Sequence, residues 1–151
     1  MCVIVDANLA SHVFGSPTGS DFVPVVEWLT RKGGCLVYGG KLAIELGRIT
    51  EVRRFVLELL RAGRARLIDS SELEIEEMNL RQARLCQSND LHIVALALVS
   101  GARTLCSSDK ILHKDFKNPK LISNPRGAVY QTAGHRSLLR HTSSCGRDKK
   151  K

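Results

Sequence analysis

Four short runs dominated by apolar residues set the terms for this fold: CVIV at 2–5, CLVY at 35–38, ARLI at 65–68 and RTLC at 103–106. Runs of about four such residues read as strands covered on both sides, because they have no polar face to offer to water. The stretches between them have helical character. A helical turn is predicted over 8–13, and a helix over 22–32 with Ser20 or Asp21 as its cap. Further helices are predicted over 41–47 and over 50–62, the latter with Val52, Phe55, Val56, Leu59 and Leu60 on one face. Ser71 and Glu74 match a capping box that opens a helix running to about 86. Ser88 or Asn89 is expected to cap the helix in DLHIVALALVSG, which is apolar on nearly every side and so must be buried. A short helix over 109–117 comes last. Strands alternating with helices imply an α/β fold with a mostly parallel sheet covered on both faces.

Length and charge divide the chain. Its 151 residues suit one domain with a substantial core. Residues 1–115 hold 14 of the 23 Lys and Arg and 14 of the 15 Asp and Glu, which cancel; the whole net charge of +8 therefore lies in residues 116–151. We expect a core domain over 1–123 and a basic, partly disordered tail over 124–151, docked in part through Val129, Tyr130, Leu138 and Leu139. Such a basic excess points to a polyanionic partner. No run reaches the length of a membrane helix, and no basic stretch precedes an apolar one at the N-terminus. The expectation is therefore a cytoplasmic protein with no membrane partner.

The acids are placed unevenly too. In VIVDAN, Asp6 stands where the first strand stops. Asp109 lies three residues past Cys106, Asp90 opens the apolar helix, and Glu45 lies on the helix that leaves the second strand. In an open parallel sheet, groups beyond the carboxyl ends of strands share one edge. Carboxylates brought together there repel one another unless a cation sits among them. Mg²⁺ or Mn²⁺, which take oxygen ligands, fit that need. Each acid also has a plainer reading: Asp90 and Asp109 as helix caps, Glu45 as the partner of Lys41 or Arg48 on its own helix face. Asp69 follows a strand as well, but SSELE after it explains it as part of a helix start.

These segments resemble the PIN-domain nucleases. That family opens with a strand and Asp (VIVDAN), continues with Glu in a central helix (KLAIELG), then Asp before an Ala-rich apolar helix (NDLHIVALAL). It ends with a small hydroxyl residue, a spacer and Asp after a strand, here Ser107 and Asp109 in TLCSSDKIL. The resemblance covers residues 2–117 and implies a three-layer α/β/α sandwich with a central sheet of four or five strands. It implies metal-dependent RNA cleavage, with Asp6, Glu45, Asp90 and Asp109 holding Mg²⁺ or Mn²⁺ and Asp115 as a fifth ligand. Asn8 and Ser107 would orient carboxylates or waters. Many small members are VapC-like toxins paired with an antitoxin protein, and small members often form homodimers. The loop FGSPTGSDF and the basic tail depart from that type.

Water activated by metal leaves 5′-phosphate and 3′-hydroxyl ends, so an endoribonuclease of this kind is the function expected. Lys41, Arg48, Lys110, Lys114 and Lys117 near the acids, and Arg126, Arg136 and Arg140 in the tail, would grip the RNA backbone. The alternative is a PIN-like module that binds RNA or protein without cleaving. GGCLVYGGKL fails as a phosphate-binding loop, because Cys35 replaces its first glycine and Leu42 its hydroxyl residue.

Overall fold

The computed structural model describes residues 2–139. Strands β1 (Cys2–Val5), β2 (Cys35–Gly39) and β4 (Thr104–Cys106) are buried at every residue, as runs without a polar face require. With β3 (Ala65–Ile68) and β5 (Ala128–Val129) they form one sheet in the order β3-β2-β1-β4-β5. Every pairing is parallel; Val3 stands beside Leu36 on one side and Thr104 on the other. The sheet is flanked by α1 (Ala7–Phe14), α2 (Val23–Arg31), α3 (Gly40–Gly47), α4 (Thr50–Arg61), α5 (Ser70–Ala83), α6 (Leu91–Ser100) and α7 (Lys110–Lys117). This is the expected α/β sandwich, with five strands and no antiparallel pair among the described residues.

Packing follows the apolar pattern. Helix α1 touches α2, α3 and α4, while α5 lies on α6, which in turn packs on β2 and β3. In α6 every residue from 92 to 97 is buried, so no face of the helix is left for solvent. Helix α4 is narrower in its demands: Val52, Val56 and Leu59 are buried, with Phe55 and Leu60 half-buried beside them. Burying one such aliphatic side chain contributes roughly 1.5–3 kcal/mol.

The fifth strand comes from the tail. Its two residues are too few to show a pattern in the sequence, and the sheet makes the strand. Ala128 N–H donates to the Arg103 carbonyl and Tyr130 N–H to that of Leu105, each at 2.8 Å. Val129 and Tyr130 are buried, and Leu138 and Leu139 pack partly on the core. The Arg103 guanidinium binds this segment to α6, donating to the carbonyls of Pro125 (2.9 Å), Ala97 (2.7 Å), Ala102 (2.9 Å) and Ser123 (3.4 Å).

Three helix starts differ from expectation. Neither Ser20 nor Asp21 caps α2. A 3-10 turn over Ser20–Phe22 leads in, and Pro24 in the first helical turn has no N–H to satisfy. The Asp21 carbonyl instead accepts from the Tyr130 hydroxyl. Helix α5 is capped by Asp69, whose Oδ1 accepts from both the amide and the hydroxyl of Ser71, each at 2.9 Å. Those two bonds hold the Asp69 carboxyl below its usual range, and they take Ser71 out of the expected capping box. The helix stops at Ala83 because Arg84 turns left-handed, with φ 55°. At α6 the cap position belongs to Asp90, and Ser88 Oγ accepts from the Asp90 N–H at 2.8 Å.

The strand order determines where a site can form. From central β1 the chain builds outward through β2 and β3, then returns to add β4 and β5 on the other side. The crevice beyond the carboxyl ends of β1 and β4 is thus the topological switch point of the sheet, where α/β folds hold ligands. Gly40, at φ 53°, makes the sharp turn from β2 into α3 that brings Glu45 toward the same edge.

Candidate active site

Asp6 ends β1, and its N–H donates to the Cys106 carbonyl at 2.9 Å, so the tips of β1 and β4 are tied together. Its carboxylate is buried and accepts from Ser107 Oγ at 2.8 Å. The same Ser107 oxygen accepts from the Asp109 N–H at 3.1 Å and from Asn8 Nδ2 at 3.3 Å, and Asn8 Oδ1 accepts from the Ser108 N–H at 3.3 Å. A carbonyl can only accept, so His113 donates from Nε2 to the Ser107 carbonyl. One hydroxyl thus organises the whole turn after β4.

Three of the four acids stand at helix N-termini: Asp6 before α1, Asp90 before α6 and Asp109 before α7. Only Asp109 caps in the ordinary way, its Oδ1 accepting from the N–H groups of Ile111 (2.9 Å) and Leu112 (3.2 Å). Asp90 makes no side-chain cap, so helix capping does not account for its carboxylate. Glu45 Oε1 lies 3.3 Å from His92 Nε2, across the contact between α3 and α6.

The acids sense one another. Burial pushes the Asp6 carboxyl up, and Glu45 adds to the rise; the Ser107 bond, the Ala7 N–H and His92 oppose it. Asp90 is pushed up by burial first, then by the charge of Asp6 and by a hydrogen bond and charge from Asp109, against a lowering pull from His92. Glu45–Asp6, Asp6–Asp90 and Asp90–Asp109 therefore form a continuous series of pairs. Burial leads the rise at both Asp6 and Asp90, ahead of mutual repulsion.

Asp115 is not brought to this group. It is a fully buried residue of α7, and its two oxygens accept from the backbone N–H groups of Gln87 (3.0 Å to each oxygen) and Ser88 (2.8 Å). It therefore holds the segment that leads into Asp90. Its charge, after burial, also pushes the Cys86 thiol up to about 11. The basic residues Lys41, Arg48, Lys110, Lys114, Lys117, Arg126 and Arg136 are all exposed. Arg126 donates to the Lys117 carbonyl (3.2 Å) and Arg136 to that of Ala133 (3.2 Å), while Arg140 lies outside the described residues.

His92 was not singled out by the sequence. It is the one ionisable residue of α6, and a lone imidazole in an otherwise apolar helix is the feature that marks it. It is buried, and its Nε2 and Glu45 Oε1 both lack a hydrogen-bond partner despite their proximity.

The donors gathered here are carboxylate oxygens, the atom type that hard divalent cations take, and one buried oxygen, Glu45 Oε1, has no hydrogen bond. Among the described residues, no three His, Cys, Asp or Glu side chains are grouped closely enough to hold a metal ion. Among the described residues, no helix is long and apolar enough to cross a membrane.

No protein-family model and no curated protein matches the sequence. Among solved structures, the chain is similar to VapBC2 from Rickettsia felis bound to a DNA fragment from their promoter, with a TM-score of 0.44 and 17% identity over 87% of this chain and 99% of that chain.

Proposed function

We propose that this protein is a metal-dependent endoribonuclease of the PIN type, acting in the cytoplasm, with Asp6, Glu45, Asp90 and Asp109 holding Mg²⁺ or Mn²⁺. The observation that carries the reading is the placement of Asp6, Asp90 and Asp109 at the N-termini of α1, α6 and α7 beside the sheet's switch point, with the Asp6 carboxylate buried and held by Ser107. A binding module gains nothing from burying such charge, whereas a cation gains a ligand set.

The chain's own part in the reaction is to place groups. Ser107 orients the Asp6 carboxylate, and Asn8 and His113 hold the turn that carries Ser107. The N-termini of α1, α6 and α7 add positive dipole ends to a site that must accept a phosphodiester. A divalent ion bound there lowers the pKa of its water and offsets the phosphate charge. Attack by water leaves 5′-phosphate and 3′-hydroxyl ends. In a cleavage assay with Mn²⁺, the fragments should carry those ends and EDTA should stop the reaction. Fragments with 2′,3′-cyclic phosphates, or cleavage that survives EDTA, would refute this mechanism.

The catalytic groups all lie within 1–123 in this reading, and the basic stretch over 124–151 grips RNA while lending β5 to the sheet. Because β5 and Tyr130 belong to the fold, the informative truncation starts at residue 140. Removing 140–151 takes away Arg140, Arg147, three lysines and Asp148. RNA affinity should fall by about tenfold at 50 mM salt and by less at 300 mM. Equal affinity at both salt levels would remove the tail from the interface. Exposed Ile75 and Met78, one turn apart on α5, support a protein partner, an antitoxin or a second copy of the chain.

A second reading, a PIN-like module that binds RNA or protein without cutting, is favoured by the lack, among the described residues, of three such side chains grouped closely enough to hold a metal ion. Thermal melting separates the two. A nuclease is stabilised by Mn²⁺ and loses that gain in Asp109→Asn; a binding module melts at the same temperature with and without Mn²⁺.

A further inference from the structure

We propose that Arg81 and Arg84, with Ser88 and Asn89, form a phosphate subsite that holds the RNA backbone beside Asp90, at a phosphate flanking the one that is cleaved. The inference rests on the reading above in taking RNA as the substrate that reaches this edge of the sheet. An open cavity of about 310 Å³ lies where the end of α5 meets the start of α6, between Leu80 on one helix and Leu91 on the other. Its volume falls within the range of ligand sites. Neither Lys41 nor Arg48 lines it, and no basic residue of α7 does.

The walls of this cavity offer donors and no anion. Arg81 stands in the last turn of α5 and Arg84 just past it. Both are exposed, and among the described residues neither guanidinium has a hydrogen bond or an ion pair, not even Arg81 with Glu77 one turn earlier. Ser88 Oγ accepts from the Asp90 N–H at 2.8 Å, which leaves its own proton to donate, and the exposed Asn89 side chain adds an amide. Cys86 lines the cavity too, but its thiol, pushed up to about 11 by burial and then by Asp115, is uncharged at neutral pH. Asp115 itself is buried, with its oxygens turned to the N–H groups of Gln87 and Ser88. Guanidiniums, a hydroxyl and an amide are the donors that take phosphate oxygens. Arg84 also has φ 55°, a left-handed conformation in which glycine costs less, so a guanidinium is kept here against the backbone's preference. Asn89 directly precedes Asp90 and Ser88 binds its N–H, so a phosphate in this cavity is held by the loop that carries Asp90.

The test uses the full chain in EDTA, so that binding is read without cleavage. The probe is a fluorescein-labelled single-stranded oligouridylate, followed by fluorescence anisotropy. Arg81→Gln combined with Arg84→Gln should weaken binding about tenfold at low salt and lower the slope of log affinity against log salt by about 1. Arg81→Lys combined with Arg84→Lys should restore the salt slope but only part of the affinity, because lysine supplies the charge without the planar fork. Arg53→Gln combined with Arg54→Gln takes the same charge from the exposed face of α4 and should change affinity far less. Equal losses in the two glutamine pairs would mean general attraction to a basic chain and would overturn the subsite, as would full affinity in the Arg81 and Arg84 pair. Either result leaves the nuclease reading standing if Mn²⁺ supports cleavage. Binding that depends on Arg81 and Arg84, with no cleavage in Mn²⁺, would keep the subsite and refute the nuclease. A wild-type chain that binds no RNA in EDTA would overturn the subsite, and one that also cleaves none in Mn²⁺ would overturn both.

Discussion

Asp6→Asn will abolish RNA cleavage and at the same time raise the melting temperature of the metal-free protein. Loss of the carboxylate at the centre of the acid series should cost about 10³-fold in rate, or about 4 kcal/mol of transition-state stabilisation. The stability gain follows from the sign of the shift. The Asp6 carboxyl is raised by burial and by Glu45, so its contribution to stability is full below the unfolded carboxylate pKa and is lost as pH rises through the folded value. At neutral pH the charged, buried Asp6 therefore destabilises the fold, and a neutral amide removes that burden while keeping an acceptor for Ser107. Each kcal/mol recovered should raise the melting temperature by about 2–4 °C in a domain of this size. The gap between variant and wild type should shrink as pH falls toward the ordinary carboxylate range, and Mn²⁺ should reverse it in favour of wild type. Measured without metal at neutral pH, an Asp6→Asn protein less stable than wild type would contradict this account of the site.

Asp115→Ala should be the most damaging single change outside the acid group. Its carboxylate accepts from the N–H groups of Gln87 and Ser88, and Ser88 is buried. Removing it leaves those donors without an acceptor, at roughly 1–3 kcal/mol each, and opens a space under α7. A total loss of roughly 2–5 kcal/mol, seen in urea unfolding, is the expected outcome. The decisive feature is its metal dependence. A group that positions the segment before Asp90 destabilises the protein equally with and without Mn²⁺, whereas a metal ligand would show its effect mainly as lost Mn²⁺ stabilisation. Asp115 was expected as a ligand because it lies where some members of the resembled family have another acid; on the buried side of α7 its oxygens face backbone amides instead.

The contrast between Asp115 and Asp90 shows what a linear sequence conveys. Both are acids on or beside helices; only Asp90 had a plain reading, as a helix cap. Asp90 stands at a cap position without capping, while Asp109 caps α7. A cap and a site carboxylate look the same in sequence, because both occur at the junction of loop and helix. They part only when another element supplies, or fails to supply, a partner. The same holds for α5, where Asp69 took the cap expected of Ser71, since a charged acceptor stood one turn-forming position earlier.

By itself, the sequence determined the parallel α/β order and Asp6 at the end of β1, because burial on both faces leaves a central strand such as β1 no polar residue until it stops. Tertiary structure alone decided which carboxylates meet, that Ala128–Val129 would join the sheet, and that His92 would face Glu45. Those outcomes depend on contacts between residues far apart in the chain. Periodicity reports how one segment meets the core, and carries no information about which distant segment lies opposite it.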